Sequence, residues 1–418
     1  MSLRDYQERT RAQLHRIWAQ GAKSVLAVGP TGCGKTRLGA VTVQDAGRTL
    51  WVAHRRELVS QARRTLAAIV GSENVGVLMA GEEELPSARF QVASIETIFA
   101  RSNAPERVDT IVLDEAHHFV ADSYRTLLDL YPRARVLGLT ATPERYDGKP
   151  LGDIFERLVV AAQYSELIAQ GHLVPVDVVR PTGYLGNDLV MDPLEAWETY
   201  VAQRRNRRTF AFFGRVADAE KAATRWRVRG VRAAIIEAHT GKTWRDDALE
   251  LFGAGRLDVL TNVYALTEGV DVPEAGVALS CRSFQFVGAA LQAFGRVLRS
   301  APGKRRALIL DLTGATHVHG LPTEDRDYSL EGRAITPRPN RAHPNAKEYV
   351  YSQSVVGGDL EVATLDDSPD EALTGLPMAQ AHSGRRSPIS AEKMRAIRSK
   401  HGKRQVDSVL DYREKLGE

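Results

Sequence analysis

Short apolar runs and charged, amphipathic stretches alternate along the first part of the chain. The runs at 25–28, 50–53, 90–93, 110–113 and 135–139 are rich in Val, Ile and Leu. Continuous apolarity over so few residues is the pattern of strands buried on both faces of a parallel sheet. Stretches with helical spacing, 55–69 and 123–130, lie between them. The alternation predicts a doubly wound α/β domain. It resumes with strands at 209–213, 232–236, 257–260, 277–280 and 307–312 and helices at 216–229, 244–252 and 286–299. The less regular stretch 187–208 separates the two halves and ends in the basic run Gln203-Arg204-Arg205-Asn206-Arg207-Arg208. After about Gly320 the pattern fades. Pro337, Pro339 and Pro344 interrupt any long element. Residues 366–371 are acidic, 383–388 polar, and 390–415 regain helical character with a basic first half.

Composition narrows the class. A chain of 418 residues, 43% hydrophobic and 26% charged, can bury two or three cores. Residues 1–18 are too charged for a secretory leader. No stretch approaches the roughly 18 apolar residues of a membrane span. Two isolated cysteines, Cys33 and Cys281, cannot build a disulfide framework or a cysteine-based zinc site, and a reducing cytoplasmic setting is expected. No base partners either thiol for nucleophilic work. The formal net charge of +4 is mild, and it is unevenly spread. The last 34 residues hold ten Lys and Arg against five Asp and Glu, so residues 1–384 sum to about −1. The basic tail reads either as a solvated or flexible end or as an accessory contact to nucleic-acid phosphates or a protein partner. Trp51, Trp197, Trp226 and Trp244 are expected chiefly as core or surface fillers, with base stacking as the alternative.

Gly29-Pro30-Thr31-Gly32-Cys33-Gly34-Lys35-Thr36 fits G-x-x-x-x-G-K-[ST] between a strand and a helix. Glycines let the backbone wrap a phosphate with its N–H groups inward, and the helix N-terminus adds a favourable dipole. Lys35 would reach the β- and γ-phosphates of ATP, and the Thr36 hydroxyl would bind Mg²⁺. Asp114-Glu115-Ala116-His117 ends the strand at 110–113, at the sheet edge where open α/β folds bind ligands. Asp114 would hold Mg²⁺ and Glu115 would orient or deprotonate the attacking water. These two motifs imply an NTPase without separating a kinase, a GTPase, a transporter ATPase or a helicase.

Further motifs follow in an order that resembles superfamily 2 helicases and translocases, from about Leu3 to Arg333. Leu3-Arg4-Asp5-Tyr6-Gln7 resembles the adenine-reading motif, with Gln7 on the base edge and Arg4 or Tyr6 stacked on it. Val52-Ala53-His54-Arg55-Arg56 and Ser94-Ile95-Glu96-Thr97 resemble strand-contact motifs, which implies backbone contacts from His54, Arg55, Arg56, Ser94 and Thr97. Thr140-Ala141-Thr142 resembles the coupling motif, and His117, Thr140 and Thr142 would link hydrolysis to domain closure. Phe210-Ala211-Phe212-Phe213 looks like motif IV. His239-Thr240-Gly241-Lys242 resembles another phosphate-contact loop, implicating Thr240 and Gly241. Leu266-Thr267-Glu268-Gly269-Val270-Asp271-Val272-Pro273 resembles motif V, with Thr267 on nucleic acid and Gly269 and Asp271 near the nucleotide ribose. Gln292-Ala293-Phe294-Gly295-Arg296-Val297-Leu298-Arg299 fits motif VI. Three residues apart, Arg296 and Arg299 are expected on one helical face, poised to answer charge on the γ-phosphoryl group, with Gln292 near the phosphate or water.

The finer likeness is to RadD-like and XPB-like DNA helicases, with phage helicases and restriction-enzyme motor subunits. It implies a first RecA-like domain at 1–177, a connector at 178–208, a second RecA-like domain at 209–333 and an extension at 334–418. RadD-like proteins often carry a cysteine-rich zinc module; no cysteine follows Cys281, so no zinc is expected. The implied activity is ATP hydrolysis, with Mg²⁺, coupled to movement on or unwinding of DNA. The alternatives are a translocase module that does not separate strands, an ATP-gated nucleic-acid switch, and an RNA track.

Overall fold

The computed structural model describes residues 3–80, 82–100, 104–119, 121–144, 150–237, 239–264, 270–331, 336–337, 348–355, 358–364 and 379–384. The chain divides into two compact units, Met1–Gln163 with Asp327–Thr336, and Tyr164–Arg326 with Pro337–Glu418.

The first unit is built on an eight-stranded sheet of β1 (Ser24–Val28), β2 (Thr49–Ala53), β3 (Val75–Met79), β4 (Glu82–Glu84), β5 (Phe90–Ser94), β6 (Thr110–Asp114), β7 (Arg135–Thr140) and β8 (Arg157–Val160), in the order β4-β3-β5-β2-β6-β7-β1-β8. All pairings are parallel except β3 with β4. Helices α1 (Asp5–Ala19), α2 (Lys35–Val43), α3 (Arg56–Val70), α4 (Ile95–Ala100) and α5 (Ala121–Leu130) connect or flank the strands. Strand alternation explains why the apolar runs are unbroken. Val25 and Ala27 join one core with Leu14, Trp18, Ala40 and Val43. Leu26 and Val28 join the other with Ile111, Leu113, Tyr124, Leu127 and Phe155. Both faces are covered, so both sets of side chains must be apolar.

The second unit carries β9 (Val176–Pro181), β10 (Thr209–Phe213), β11 (Ala233–Ile236), β12 (Val259–Asn262), β13 (Val277–Cys281) and β14 (Ala307–Asp311) in the parallel order β11-β12-β10-β13-β14-β9. Its helices are α6 (Tyr164–Ala169), α7 (Pro193–Tyr200), α8 (Val216–Val228), α9 (Lys242–Gly253), α10 (Val287–Gly295) and α11 (Ala315–His319). Leu194, Trp197 and Tyr200 of α7 and Ala219, Ala223 and Trp226 of α8 pack with Ala211, Phe213, Leu279 and Leu310 of the sheet. Asp192 caps α7, its Oδ1 accepting from the Leu194 and Glu195 amides, with Pro193 opening the helix.

The two parallel sheets match the expected tandem RecA-like fold. Three features differ in detail. The stretch read as a connector, 178–208, contributes β9 and α7 to the second unit. The extension is not wholly irregular: β15 (Glu348–Val355), β16 (Gly358–Thr364) and β17 (Ala379–Gly384) are antiparallel strands, and β16 pairs with β9. The expected helix at 286–299 ends at Gly295. The basic segment at 385–418 lies outside the described residues.

Gly138, in β7, is packed too closely for any side chain. A Cβ there would lie 2.4 Å from Phe155 Cζ and 2.7 Å from Leu26 Cδ1, both in the closed core. Gly138→Ala is expected to destabilise the first unit by about 1–3 kcal/mol through overpacking. A urea titration of the full chain checks this; an unmoved transition would show that the core can yield at this point.

Candidate functional site

The phosphate-binding sequence forms the expected strand–loop–helix. It leaves β1, and Gly32 and Gly34 adopt left-handed backbone, φ 90° and 79°. Lys35 opens α2, and its Nζ donates to the Gly29 carbonyl at 3.1 Å and the Pro30 carbonyl at 3.5 Å. Thr36 follows in the first turn. The loop is held from behind by α1. The Tyr6 hydroxyl donates to the Cys33 carbonyl at 2.5 Å, and Gln7 Nε2 donates to the Cys33 and Gly34 carbonyls at 3.1 and 3.3 Å. The Gln7 Oε1 accepts from the Arg4 amide at 3.1 Å. Tyr6 therefore does not stack on an incoming base: it is fully buried and its hydroxyl fixes the loop. Gln7 spends the nitrogen of its amide on the loop and the oxygen on the N-terminus of α1, while Arg4 stays exposed. Burial raises the Cys33 thiol above its ordinary pKa, which leaves it a packing residue.

β7 lies between β1 and β6, so the loops of all three strands emerge side by side at one edge. Asp114 ends β6, and its Oδ1 accepts from the Glu115 amide at 3.1 Å. Burial, then the Glu115 charge beside it, pushes the Asp114 carboxyl up to about 7, with Lys35 opposing. Glu115 has left-handed backbone, φ 52°, and its buried Oε2 lacks a hydrogen-bond partner. Two acidic side chains crowded beside a phosphate loop, one with an orphaned oxygen, fit a divalent cation and a bound water. His117 Nδ1 lies 2.9 Å from Thr140 Oγ1 at the end of β7 and 3.5 Å from Glu115 Oε2. Thr140 Oγ1 in turn donates to the Thr142 carbonyl at 2.6 Å. His117, Thr140 and Thr142 thus form one buried chain from the acidic pair to the β7 loop.

Other residues of the first unit take more local roles. His54 and Arg55 follow β2, with Arg55 at the N-cap of α3, and Arg56 donates to the Ala80 carbonyl. Ser94 and Thr97 hydroxyls bond each other at 2.8 Å across the start of α4. His54 and His118 stack with ring centroids 3.7 Å apart.

In the second unit the motif VI arginines do not share a helical face. α10 ends at Gly295; Arg296 is its C-cap, and Arg299 follows in the turn, where residue 299 bridges Leu173. Both reach motif V instead. Arg296 NH1 donates to the Val270 carbonyl at 2.7 Å, and the Arg299 guanidinium pairs with the Asp271 carboxylate. Gln292 is buried in α10. The Thr240 hydroxyl accepts from the Glu237 amide at 2.8 Å, closing the loop before Gly241, the N-cap of α9. Thr267 and Gly269 lie outside the described residues. Trp51, Trp197 and Trp226 are core residues, whereas Trp244 is 52% exposed. Among the described residues no cluster of three or more His, Cys, Asp or Glu is placed to hold a metal, and no helix is long and apolar enough to cross a membrane.

Lys304, in Gly303-Lys304-Arg305-Arg306, belongs to none of the motifs that the sequence shows. Its Nζ donates to the Pro273 carbonyl at 2.8 Å, the Ala275 carbonyl at 2.6 Å and the Arg299 carbonyl at 2.8 Å. All three ammonium hydrogens are matched, and motif V is tied to motif VI. Burial, reinforced by Arg299 and Arg208 and opposed by Glu274, lowers the pKa to about 7 from 10.5. With the folded value depressed, the unfolded chain holds the proton more tightly between those limits, so stability gains a component that rises with pH from about 7 to 10.5. Lys304→Met is expected to lack that component. Denaturation midpoints of both proteins across the window check it; parallel profiles would refute the depressed value.

Comparison with known proteins agrees with this geometry. The family described as type III restriction enzyme, res subunit, matches residues 1–145, and the helicase conserved C-terminal domain matches residues 192–301. A candidate ATP-dependent helicase of Saccharomyces cerevisiae, IRC3, is 27% identical over 361 residues, 76% of this chain and 52% of that protein. A candidate DNA 3'-5' helicase of Haloarcula marismortui, Rad25, is 28% identical over 370 residues, 80% of this chain and 56% of that protein. The chain thus spans little more than half of either relative. The structure of a candidate HsdR subunit of a type I restriction enzyme from Vibrio vulnificus superposes with a TM-score of 0.59 at 20% identity, covering 80% of this chain and 67% of that one. With two helicase domains matched in tandem, and a phosphate loop and acidic pair at one sheet edge, the chain is similar in sequence and fold to the superfamily 2 helicases and translocases.

Proposed function

We propose that this chain hydrolyses ATP to move on or unwind DNA. The observation that carries the reading is the meeting of the phosphate loop, the Asp114–Glu115 pair and the His117–Thr140 bond at the edge shared by β1, β7 and β6. Lys35 would leave its loop carbonyls for the β- and γ-phosphates. Thr36 and Asp114 would hold Mg²⁺, which supplies charge neutralisation at the phosphates when bound. Glu115 would orient or deprotonate the attacking water, its orphaned Oε2 being the acceptor. Arg296 and Arg299 would answer the charge on the γ-phosphoryl group, Gln292 standing near, and Asp271 would exchange Arg299 for the ribose. The His117–Thr140–Thr142 chain would report the state of the acidic pair to the β7 loop. His54, Arg55, Arg56, Ser94, Thr97, Thr240, Gly241 and Thr267 are proposed to contact the nucleic-acid backbone, with Arg4 stacked on adenine and Gly269 near the ribose.

Relatives named as DNA 3'-5' helicases and a DNA 3'-5' translocase favour DNA over RNA as the track. The match to a restriction-enzyme family and to an HsdR-like structure favours, as second reading, a motor that moves on duplex DNA without separating it. The basic segment at 385–418 is proposed as an accessory contact to phosphates or a protein partner, in a cytoplasmic setting.

Hydrolysis rates with single-stranded DNA, duplex DNA and RNA, beside strand displacement on tailed and forked duplexes, test the reading. DNA is expected to stimulate hydrolysis, and stimulation without displacement would select the second reading. Glu115→Gln is expected to lower turnover at least about 100-fold while ATP still binds. Hydrolysis indifferent to every nucleic acid would overturn the motor; full turnover in Glu115→Gln would overturn the role of that residue.

A further inference from the structure

At the carboxyl edge of the second sheet, β10 lies between β12 and β13. Tyr264 follows β12 and Arg282 follows β13, and the two side chains meet across the end of β10. The Arg282 guanidinium sits over the Tyr264 ring, 3.9 Å from its centroid, and also 4.9 Å from that of Phe284. The strand between them continues into Gly214, where a Cβ would lie 3.9 Å from Arg282 Cβ, so the chain beneath the pair carries no side chain. Arg282 is firmly placed: its carbonyl accepts from the Ser280 and Thr313 hydroxyls at 3.0 and 3.2 Å.

Tyr264 is unusual on two counts. It is 56% exposed, although a guanidinium backs one side of the ring. It also takes left-handed backbone, φ 57°, a conformation that costs a bulky residue energy and favours Gly or Asn. A loop under no constraint except solubility would place a small polar residue here. Thr267, the motif V contact expected from sequence, follows three residues later, within about 11 Å along the chain. Arg215, exposed at the N-cap of α8 beside Gly214, adds positive charge to the same edge. An exposed ring backed by a cation, with a further cation on the same edge, is the arrangement on which single-stranded nucleic-acid bases stack.

We propose that Tyr264, backed by Arg282, is a stacking platform for a base of the bound nucleic-acid strand. It rests on the reading of the chain as a nucleic-acid motor and adds to it a contact to a base where the other assigned contacts are to the backbone. The contact is sequence-tolerant, because every base offers a π-face. It holds one nucleotide in place while backbone contacts are remade.

The test compares binding of a thymidine oligonucleotide with that of an abasic strand of equal length and charge, measured by fluorescence anisotropy on the full chain. Wild-type protein is expected to prefer the base-bearing strand by about tenfold. Tyr264→Asn, which suits the left-handed backbone and removes the ring, is expected to lose most of that preference and keep its affinity for the abasic strand. Tyr264→Phe is expected to retain the preference. Equal preference in wild type and Tyr264→Asn would overturn the platform. An unchanged preference joined to a raised KM for ATP would overturn it too, and assign the ring to adenine. Absence of any binding or ATPase stimulation by nucleic acid in wild type would instead sink the motor reading beneath it.

Discussion

Parallel pairing is the constraint from which the rest of this structure follows. Strands that run the same way end at the same edge, so residues far apart in sequence are delivered together by the sheet rather than by local folding. Gly29, Asp114 and Thr140 leave β1, β6 and β7 as neighbours because Val28 pairs with Thr140 and Asp114 with Leu139. Gly214, Tyr264 and Arg282 are brought together in the second sheet by the pairing of β10 with β12 and β13. Parallel strands also need crossover segments, which supply the helices that cover both faces. The unbroken apolar runs and the convergence of polar loops are therefore two outcomes of one pairing rule.

The treatment of buried charge separates framework from site. Asp177 is fully buried and paired with Arg306 at 2.6 Å. Asp258 accepts from Arg207 and Arg232 and holds a lowered pKa. Those carboxylates are compensated, and burial there is stable because each oxygen is answered. Asp114 is equally buried but has a second carboxylate beside it and is pushed upward, while Glu115 Oε2 accepts no hydrogen bond and has only His117 Nδ1, 3.5 Å away, beside it. Two carboxylates side by side, with no arginine between them, set this pair apart from the paired carboxylates Asp177 and Asp258. The imbalance is the state a phosphate-bound cation would relieve.

Much of the architecture was legible in the sequence because burial on both faces writes an unbroken signal: 209–213 matches β10 residue for residue. Signals failed where that condition fails. β8, Arg-Leu-Val-Val, is partly exposed, and too short to show a period. β3 carries Gly76 within its apolar run and follows α3 after only a short helical turn. In the tail, 348–355 mixes Ser and Gln into both alternating sets, so no face stands out. The site was legible as chemistry but not as geometry. Lys35, Asp114 and Glu115 could be named from type and spacing. That Tyr6 lies behind the phosphate loop, that Arg296 and Arg299 turn toward 270–271, and that Lys304 is sequestered by carbonyls near residue 274 all depend on contacts across many residues of chain, which no local pattern encodes.

Charge shows the same division between total and placement. Residues 1–384 sum to about −1, so no broad positive field draws a polyanion to this core. Many of its arginines are already committed within the fold: Arg207 and Arg232 to Asp258, Arg306 to Asp177, Arg225 to Asp192. Positive charge of this core that could grip a strand is then local, set at loop edges beside the hydroxyls and amides proposed to contact the backbone. A motor gains from that economy, because contacts that are few and local can be broken and remade within a cycle, whereas a strong uniform field would hold the track in every state. A stacked base suits the same need: it resists sliding of the strand without adding charge, and its strength is nearly independent of salt.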